Sequence, residues 1–230
     1  MKCLPYLLLA CCLGCGLVAG QDKTEAEAES VVLDGQTLKL KFSDGFEKGI
    51  EGWKTTDEKN WKLKARGKHE HAFGLIKRNS KYKPAVRSPL NIALIKNVEV
   101  SDFVLTFDVR NVKDTGNHRD CCVFFGHQNP QQFYYVHIGK KPDPVCGQIM
   151  IVNEKPRVSL TENKKEVAWT SDWHKIKVTR KVASGEIKVY FDDMKTPCME
   201  VSDKTFAKGQ IGLGSFDDVN DFDNVKIYAQ

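Results

Sequence analysis

The stretch FVLTFDVR at 103–110 alternates apolar and polar residues without a break, and this two-residue period constrains the fold more than any other feature of the chain. In an extended backbone it places Phe103, Leu105, Phe107 and Val109 on one face. The same pattern recurs in EIKVYF, where Ile187, Val189 and Phe191 share a face. Further short apolar runs lie at 37–42, 60–65, 72–77, 121–126, 132–138, 148–152, 173–181, 209–213 and 224–229, separated by turn residues. Helical periodicity is almost absent. Ala183-Ser184-Gly185 separates 173–181 from 186–191 and predicts a hairpin there. Roughly eleven short strands at near-regular spacing predict an all-β fold, a two-sheet antiparallel sandwich of the jelly-roll type. With no fixed-period repeat and no internal linker, 35–230 reads as a single β-sandwich domain.

The N-terminus is of another kind. One basic residue, Lys2, precedes an apolar run and the small residues Val18-Ala19-Gly20, which predicts a secretory signal over 1–20 cleaved before Gln21. Leu8-Leu9-Ala10-Cys11 also resembles a lipobox, which would make Cys11 a lipidated N-terminus and the only route to a membrane. Residues 21–34 open with QDKTEAEAES and are expected to be a flexible leader. The protein is therefore expected to be exported: periplasmic, extracellular or anchored at the envelope. An oxidising destination permits disulfides among Cys121, Cys122, Cys146 and Cys198; buried free thiols are the alternative. On one strand Cys121 and Cys122 point to opposite faces, so they cannot share a buried site.

The formal net charge is +5, and the excess is uneven. A basic stripe runs from Trp61 to Arg87, while DDVNDFD at 217–223 is acidic. Such a stripe either attracts an anionic partner or forms a solvated face. Export argues against nucleic acid and leaves anionic glycans or a cell surface.

QQFYYVHI at 131–138 poses the functional question. Its alternation turns Tyr134, Val136 and Ile138 toward a core, and Phe133, Tyr135 and His137 toward the other face. Aromatic rings suit the apolar faces of sugars, and Asn, Gln, Asp, Arg and His suit their hydroxyls. Aromatics also simply favour strands.

Three segments, FSDGFEKGIEGW (42–53), DWHKIKVTRKVASGEIKVYFDD (172–193) and KGQIGLGSFDDVNDFDNVKIY (208–228), together resemble the concanavalin A-like, laminin-G-like jelly-roll superfamily. Within it, FVLTFDVRNVKDTGNHRDCCVFFGHQ followed by FYYVHI is similar to the middle of the 3-keto-disaccharide hydrolase domain family, exported sandwiches associated with sugar processing. Asn117-His118-Arg119 stands for that family's Asn-Ser-Gly, Tyr135 for a glutamate and His137 for a glutamine. The Glu-x-Asp-x-x-Glu strand of laminarinase-type relatives is absent. The resemblance implies an oligo- or polysaccharide partner in a concave groove. Asp108, Arg110, His118, Arg119, His127, Gln128 and Tyr135 are the candidate binding residues.

Hydrolysis needs a general acid with a base or nucleophile, and the candidates are Asp120, His137 and Asp143. The resemblance further implies a structural calcium on oxygens of Asp44, Glu47 and Asp223; Asp44-Gly45 as a plain turn is the alternative. His69 and His71 share a face but lack an identifiable third zinc ligand. Trp173-His174 reads as structural. The functions consistent with these residues are a glycoside-hydrolase-like enzyme, a non-catalytic glycan-binding module, or an envelope protein mediating surface contacts. Mass spectrometry of the exported protein checks the N-terminus: a chain beginning at Gln21 is expected, and one beginning at a lipidated Cys11 would overturn simple export.

Overall fold

The computed structural model describes residues 29–68 and 70–230. Residues 1–28 and His69 lie outside it, and with them the expected signal, the lipobox-like stretch at Cys11 and half of the histidine pair. Sixteen strands are present among the described residues: β1 (Ser30–Leu33), β2 (Gln36–Asp44), β3 (Trp53–Thr55), β4 (Trp61–Ala65), β5 (His71–Leu75), β6 (Asn91–Val100), β7 (Phe103–Asn111), β8 (Asp120–Asn129), β9 (Gln132–Gly139), β10 (Gln148–Asn153), β11 (Val158–Ser159), β12 (His174–Lys181), β13 (Glu186–Phe191), β14 (Met199–Ser202), β15 (Gly209–Ser215) and β16 (Asn220–Ala229). They form two antiparallel sheets. One has the order β1-β2-β16-β7-β12-β13-β14, with β5 and then β4 added beside β16; the other has the order β11-β10-β9-β8-β15-β6-β3.

Each of the eleven expected runs is a strand. The hairpin at 183–185 is also present, with Lys181 opposite Glu186 and Gly185 at a φ of +80°. The largest miss is β6. Its opening, NIALI, has no clean alternation because it is buried on both faces: Ala93 and Ile95 join the main core, and Ile92 joins a second cluster. The expected leader also ends too late, since Ser30–Leu33 pairs with β2 and completes that edge of its sheet.

Between the sheets lies the main core. Phe103, Leu105, Phe107 and Val109 enter it from β7, and Tyr134, Val136 and Ile138 enter it from β9, as the alternation requires. The other face of β8 and β9 is apolar as well. Cys122, Phe124, Phe133, Tyr135, Met150 and Val152 make a second buried cluster, covered by Tyr82 and Val86 of the connection before β6. Among the described residues Cys121, Cys122, Cys146 and Cys198 are free and buried, with Cys121 in the main core and Cys122 in the outer cluster.

The hairpin joining β8 to β9 turns at Pro130-Gln131, where Asn129 caps the Gln131 N–H at 2.8 Å. Just before it, Gly126 adopts a φ of +57° at an irregularity in the pairing. This bulge changes which face the following residue meets, and His127 stacks on Phe133 of the outer cluster at 5.3 Å.

The charges pair across the chain. Asp221, 1% exposed, lies between Lys64 (2.5 Å) and Arg110 (2.8 Å), and Asp223 meets Arg66. Arg78 lies 3.9 Å from both Asp217 and Asp218. Lys64, Arg66 and Arg78 of the basic stripe are therefore matched to the acidic 217–223 segment, while Lys62, Lys68, Lys77, Lys81, Lys83 and Arg87 stay exposed.

The outer cluster contributes stability in its own right. Phe124→Ala leaves an aromatic-sized void beneath Tyr135 and Phe133 and is expected to cost about 3–5 kcal/mol in urea unfolding. A cost near zero would mean that this layer is loosely packed.

Candidate functional site

The start of β8 and the end of β9 lie side by side, with Cys122 directly opposite His137 and Asp120 opposite Gly139. Asp120 is held by the segment after β15. Its Oδ1 accepts from Ser215 Oγ at 2.5 Å and from the Phe216 N–H at 3.3 Å. Its own N–H donates to Asp218 Oδ2 at 2.9 Å, and Asn220 donates to its carbonyl at 2.9 Å. These bonds leave Oδ2 facing His137, whose Nε2 is 3.4 Å away, at ion-pair distance but without hydrogen-bond alignment. The other ring nitrogen, Nδ1, donates to the Val145 carbonyl at 2.7 Å.

A cavity of about 190 Å³ opens over this pair. His118 and Asp143 form one wall, with His118 Nδ1 3.6 Å from Asp143 Oδ2. Asp143 is fixed through Oδ1, which accepts the N–H groups of Val145 and Cys146 at 2.7 Å each. Phe216 and Asp217 also line it, and the guanidinium groups of Arg157 and Arg87 lie 4.3 and 5.5 Å from the centre of the Phe216 ring. The pocket therefore combines carboxylates, imidazoles, guanidinium groups and one aromatic face.

Its electrostatics are uneven. Burial disfavours the His137 imidazolium, but the adjacent Asp120 carboxylate outweighs burial and pushes its pKa up to about 10. Burial raises Asp120, and His137 together with the donors from Ser215 and Phe216 more than offsets it, holding Asp120 below its ordinary value. Asp217 and Asp218 are both raised, first by burial and then by the negative charge of Asp120. Carboxylates of divergent acidity thus share one opening, an arrangement suited to acid–base work.

The expected catalytic residues Asp120, His137 and Asp143 converge here, and His118 joins them. The other expected residues lie elsewhere. Tyr135 was expected on an open strand face, but it is fully buried in the outer cluster, where its hydroxyl accepts from Arg157 at 3.2 Å. Alternation identifies its face correctly; the Tyr82 and Val86 segment covers that face. Asp108 and Arg110 do not share the groove, because β7 belongs to the other sheet. There Arg110 pairs with Asp221 and stacks near Trp173, and Asp108 accepts from Asn224 at 2.7 Å. Arg119 is buried, donating to the Trp169 carbonyl at 3.2 Å and pairing with Asp114. His127 and Gln128 line a second groove of about 440 Å³ on the pocket's sheet, together with Tyr82, Asn129 and Gln210.

The expected calcium set does not fit that ion as it is arranged. Asp44 accepts from the Phe46 N–H at 2.7 Å and the Trp53 indole at 2.9 Å, Glu47 accepts from His71, and Asp223 faces Arg66. Their oxygens already have N–H partners. A different set offers metal donors: Asp120, Cys122 and His137 each present one atom, all within 4.8 Å of one another and all buried. His174, read as structural, accepts the Thr170 N–H at Nε2 (2.9 Å) and donates from Nδ1 to the Asp192 carboxylate at 2.8 Å.

Arg87, Arg157, Phe216 and Asp217 escaped the sequence reading. Arg87 was visible only as part of the basic stripe and Asp217 only as part of the acidic segment. Arg157 and Phe216 carry no local signal.

A family model described as the 3-keto-alpha-glucoside-1,2-lyase-like domain matches residues 41–228. No curated protein matches the chain by sequence. Among solved structures, the carbohydrate-binding module CBM66 of Bacillus subtilis is 20% identical with a TM-score of 0.55, covering 78% of this chain and 97% of its own. A cellulose-induced protein is 11% identical with a TM-score of 0.57, covering 82% and 97%. Domain 4 of an extracellular GH43 arabinanase from Geobacillus stearothermophilus, solved with arabinotriose, is 12% identical with a TM-score of 0.53, covering 84% and 93%. These likenesses establish a shared sandwich fold.

One pH effect follows from His127. Burial, and then the charge of Lys54, push its pKa down to about 4, so the folded protein holds the ring neutral. Its contribution is fully present above the unfolded value of 6.5 and is lost as pH falls toward 4. Urea unfolding at pH 7 and pH 5 should show a loss smaller by about 2 kcal/mol in His127→Gln than in the parent. Equal losses would contradict the buried neutral ring.

Proposed function

Because the chain belongs to the 3-keto-alpha-glucoside-1,2-lyase-like domain family, we propose that it is an exported, saccharide-directed domain whose chemistry takes place in the pocket floored by Asp120 and His137. The observation that carries this reading is the convergence of His118, Asp120, His137 and Asp143 on one cavity. Sandwiches of the same fold include a carbohydrate-binding module and an arabinanase domain solved with arabinotriose, which supports a saccharide partner.

The chemistry that suits these groups is elimination from a keto sugar. A ketone at C3 acidifies the hydrogen on C2. A base removes that proton, the C–H electrons form a C1–C2 double bond, and the C1–O bond breaks; the departing oxygen then takes a proton. His118 is the candidate proton carrier, being exposed at the pocket wall and backed by Asp143. Arg87 and Arg157 would face the negative charge that builds on the carbonyl oxygen. Asp120 and His137 form the floor on which the reacting ring would rest. The test is turnover of a panel of glucosides and 3-keto-glucosides. His118→Ala and Asp143→Asn should each lower kcat by about 10²–10⁴, and turnover that survives both changes would sink the assignment.

The second groove favours a different reading, glycan binding without turnover. It exceeds the pocket in volume and gathers Tyr82, Gln128, Asn129 and Gln210, an aromatic with several amides. On this reading calorimetry detects oligosaccharide binding that Tyr82→Ala weakens about fivefold or more, while no product forms.

A further inference from the structure

We propose that Asp120, Cys122 and His137 form a transition-metal site, with zinc as the ion best matched to the donors. The strand register builds it. Cys122 and His137 are directly opposed across β8 and β9, and Asp120, two residues before Cys122, shares its face. The three donor atoms lie within 4.8 Å of one another. A tetrahedral ion with bonds of about 2.0–2.3 Å therefore needs only a modest contraction of the set.

The supporting bonds point the same way. His137 Nδ1–H donates to the Val145 carbonyl, which leaves Nε2 as the nitrogen facing the other donors. His137 is 6% exposed, and Nε2 is buried without a hydrogen-bond partner. Asp120 Oδ1 is tied to Ser215 and Phe216, so Oδ2 is the oxygen presented to an ion. A buried polar atom with no hydrogen-bond partner is costly, and a metal ion taking the place of the Nε2 proton would satisfy it.

The donor types select the metal. A thiolate disfavours calcium and magnesium, whereas one sulfur, one imidazole and one carboxylate suit zinc or cobalt. On loading, the Cys122 thiol and the His137 imidazolium each lose a proton to solvent as sulfur and Nε2 bond to the ion; no redox change occurs. Three protein ligands leave a fourth position where water or a sugar oxygen could bind, and two of the three, Asp120 and His137, line the pocket of His118 and Asp143.

This site lies in the pocket assigned to the saccharide but rests on donor geometry alone, and its test uses no sugar. Tag-free protein is loaded with zinc or cobalt, dialysed and analysed. About one equivalent of metal per chain should remain. The cobalt form should show a near-ultraviolet thiolate-to-cobalt charge-transfer band that is lost in Cys122→Ser and kept in Cys146→Ser, with melting curves reporting that each variant is folded. X-ray absorption of the zinc-loaded parent needs no variant: one sulfur at about 2.3 Å with nitrogen and oxygen neighbours is expected. Loss of all metal on dialysis, a shell without sulfur, or a charge-transfer band unchanged in Cys122→Ser would each overturn the proposal.

Discussion

Strands β8 and β9 are buried on both faces, and the arrangement of the site follows from that constraint. Antiparallel sandwiches commonly leave one face of a sheet to water. Here the inward face packs Tyr134, Val136 and Ile138 between the sheets, and the outward face packs Phe124, Phe133 and Tyr135 under Tyr82 and Val86. The aromatic layer closes the middle of the outer face. What remains open lies at the two ends: the small pocket over Asp120 and His137, and the larger groove beside His127 and Gln128.

Double burial also governs the chemistry available at the pocket floor. Asp120 and His137 carry charge in a setting that disfavours isolated ions, so each depends on the other and on fixed donors from Ser215, Phe216 and the Val145 carbonyl. At the rim, Arg87 and Arg157 lie over Phe216, while Lys64, Arg66 and Arg78 are drawn to aspartates of the 217–223 segment. Three residues of the basic stripe thereby tie down the acidic segment that leads into β16. Cationic character at the pocket comes from two arginines of different loops.

Much of this was legible beforehand. The alternation in FVLTFDVR and QQFYYVHI assigns each residue to a face, because side chains on a strand must alternate whatever the context. The opposition of Cys121 to Cys122 follows from the same rule. Asp120, His137 and Asp143 were picked out by residue type and by family resemblance. Tyr135 shows the limit of such reasoning: period gives the face, but what covers the face is supplied by Tyr82 and Val86, about fifty positions away by the numbering. Asp108 and Arg110 show it again, since nothing local to β7 says which sheet it joins.

The chain by itself determined its class, its strands and the side to which each residue points, all consequences of backbone geometry over a few neighbours. Tertiary structure alone decided that Asp120, Cys122 and His137 meet, that Arg157 and Phe216 stand over them, and that calcium-type oxygens near Asp44 and Asp223 are taken by N–H donors. Those outcomes depend on strand order, register and loop packing. Such contacts form between segments distant in sequence, where the local pattern carries no information about the partner.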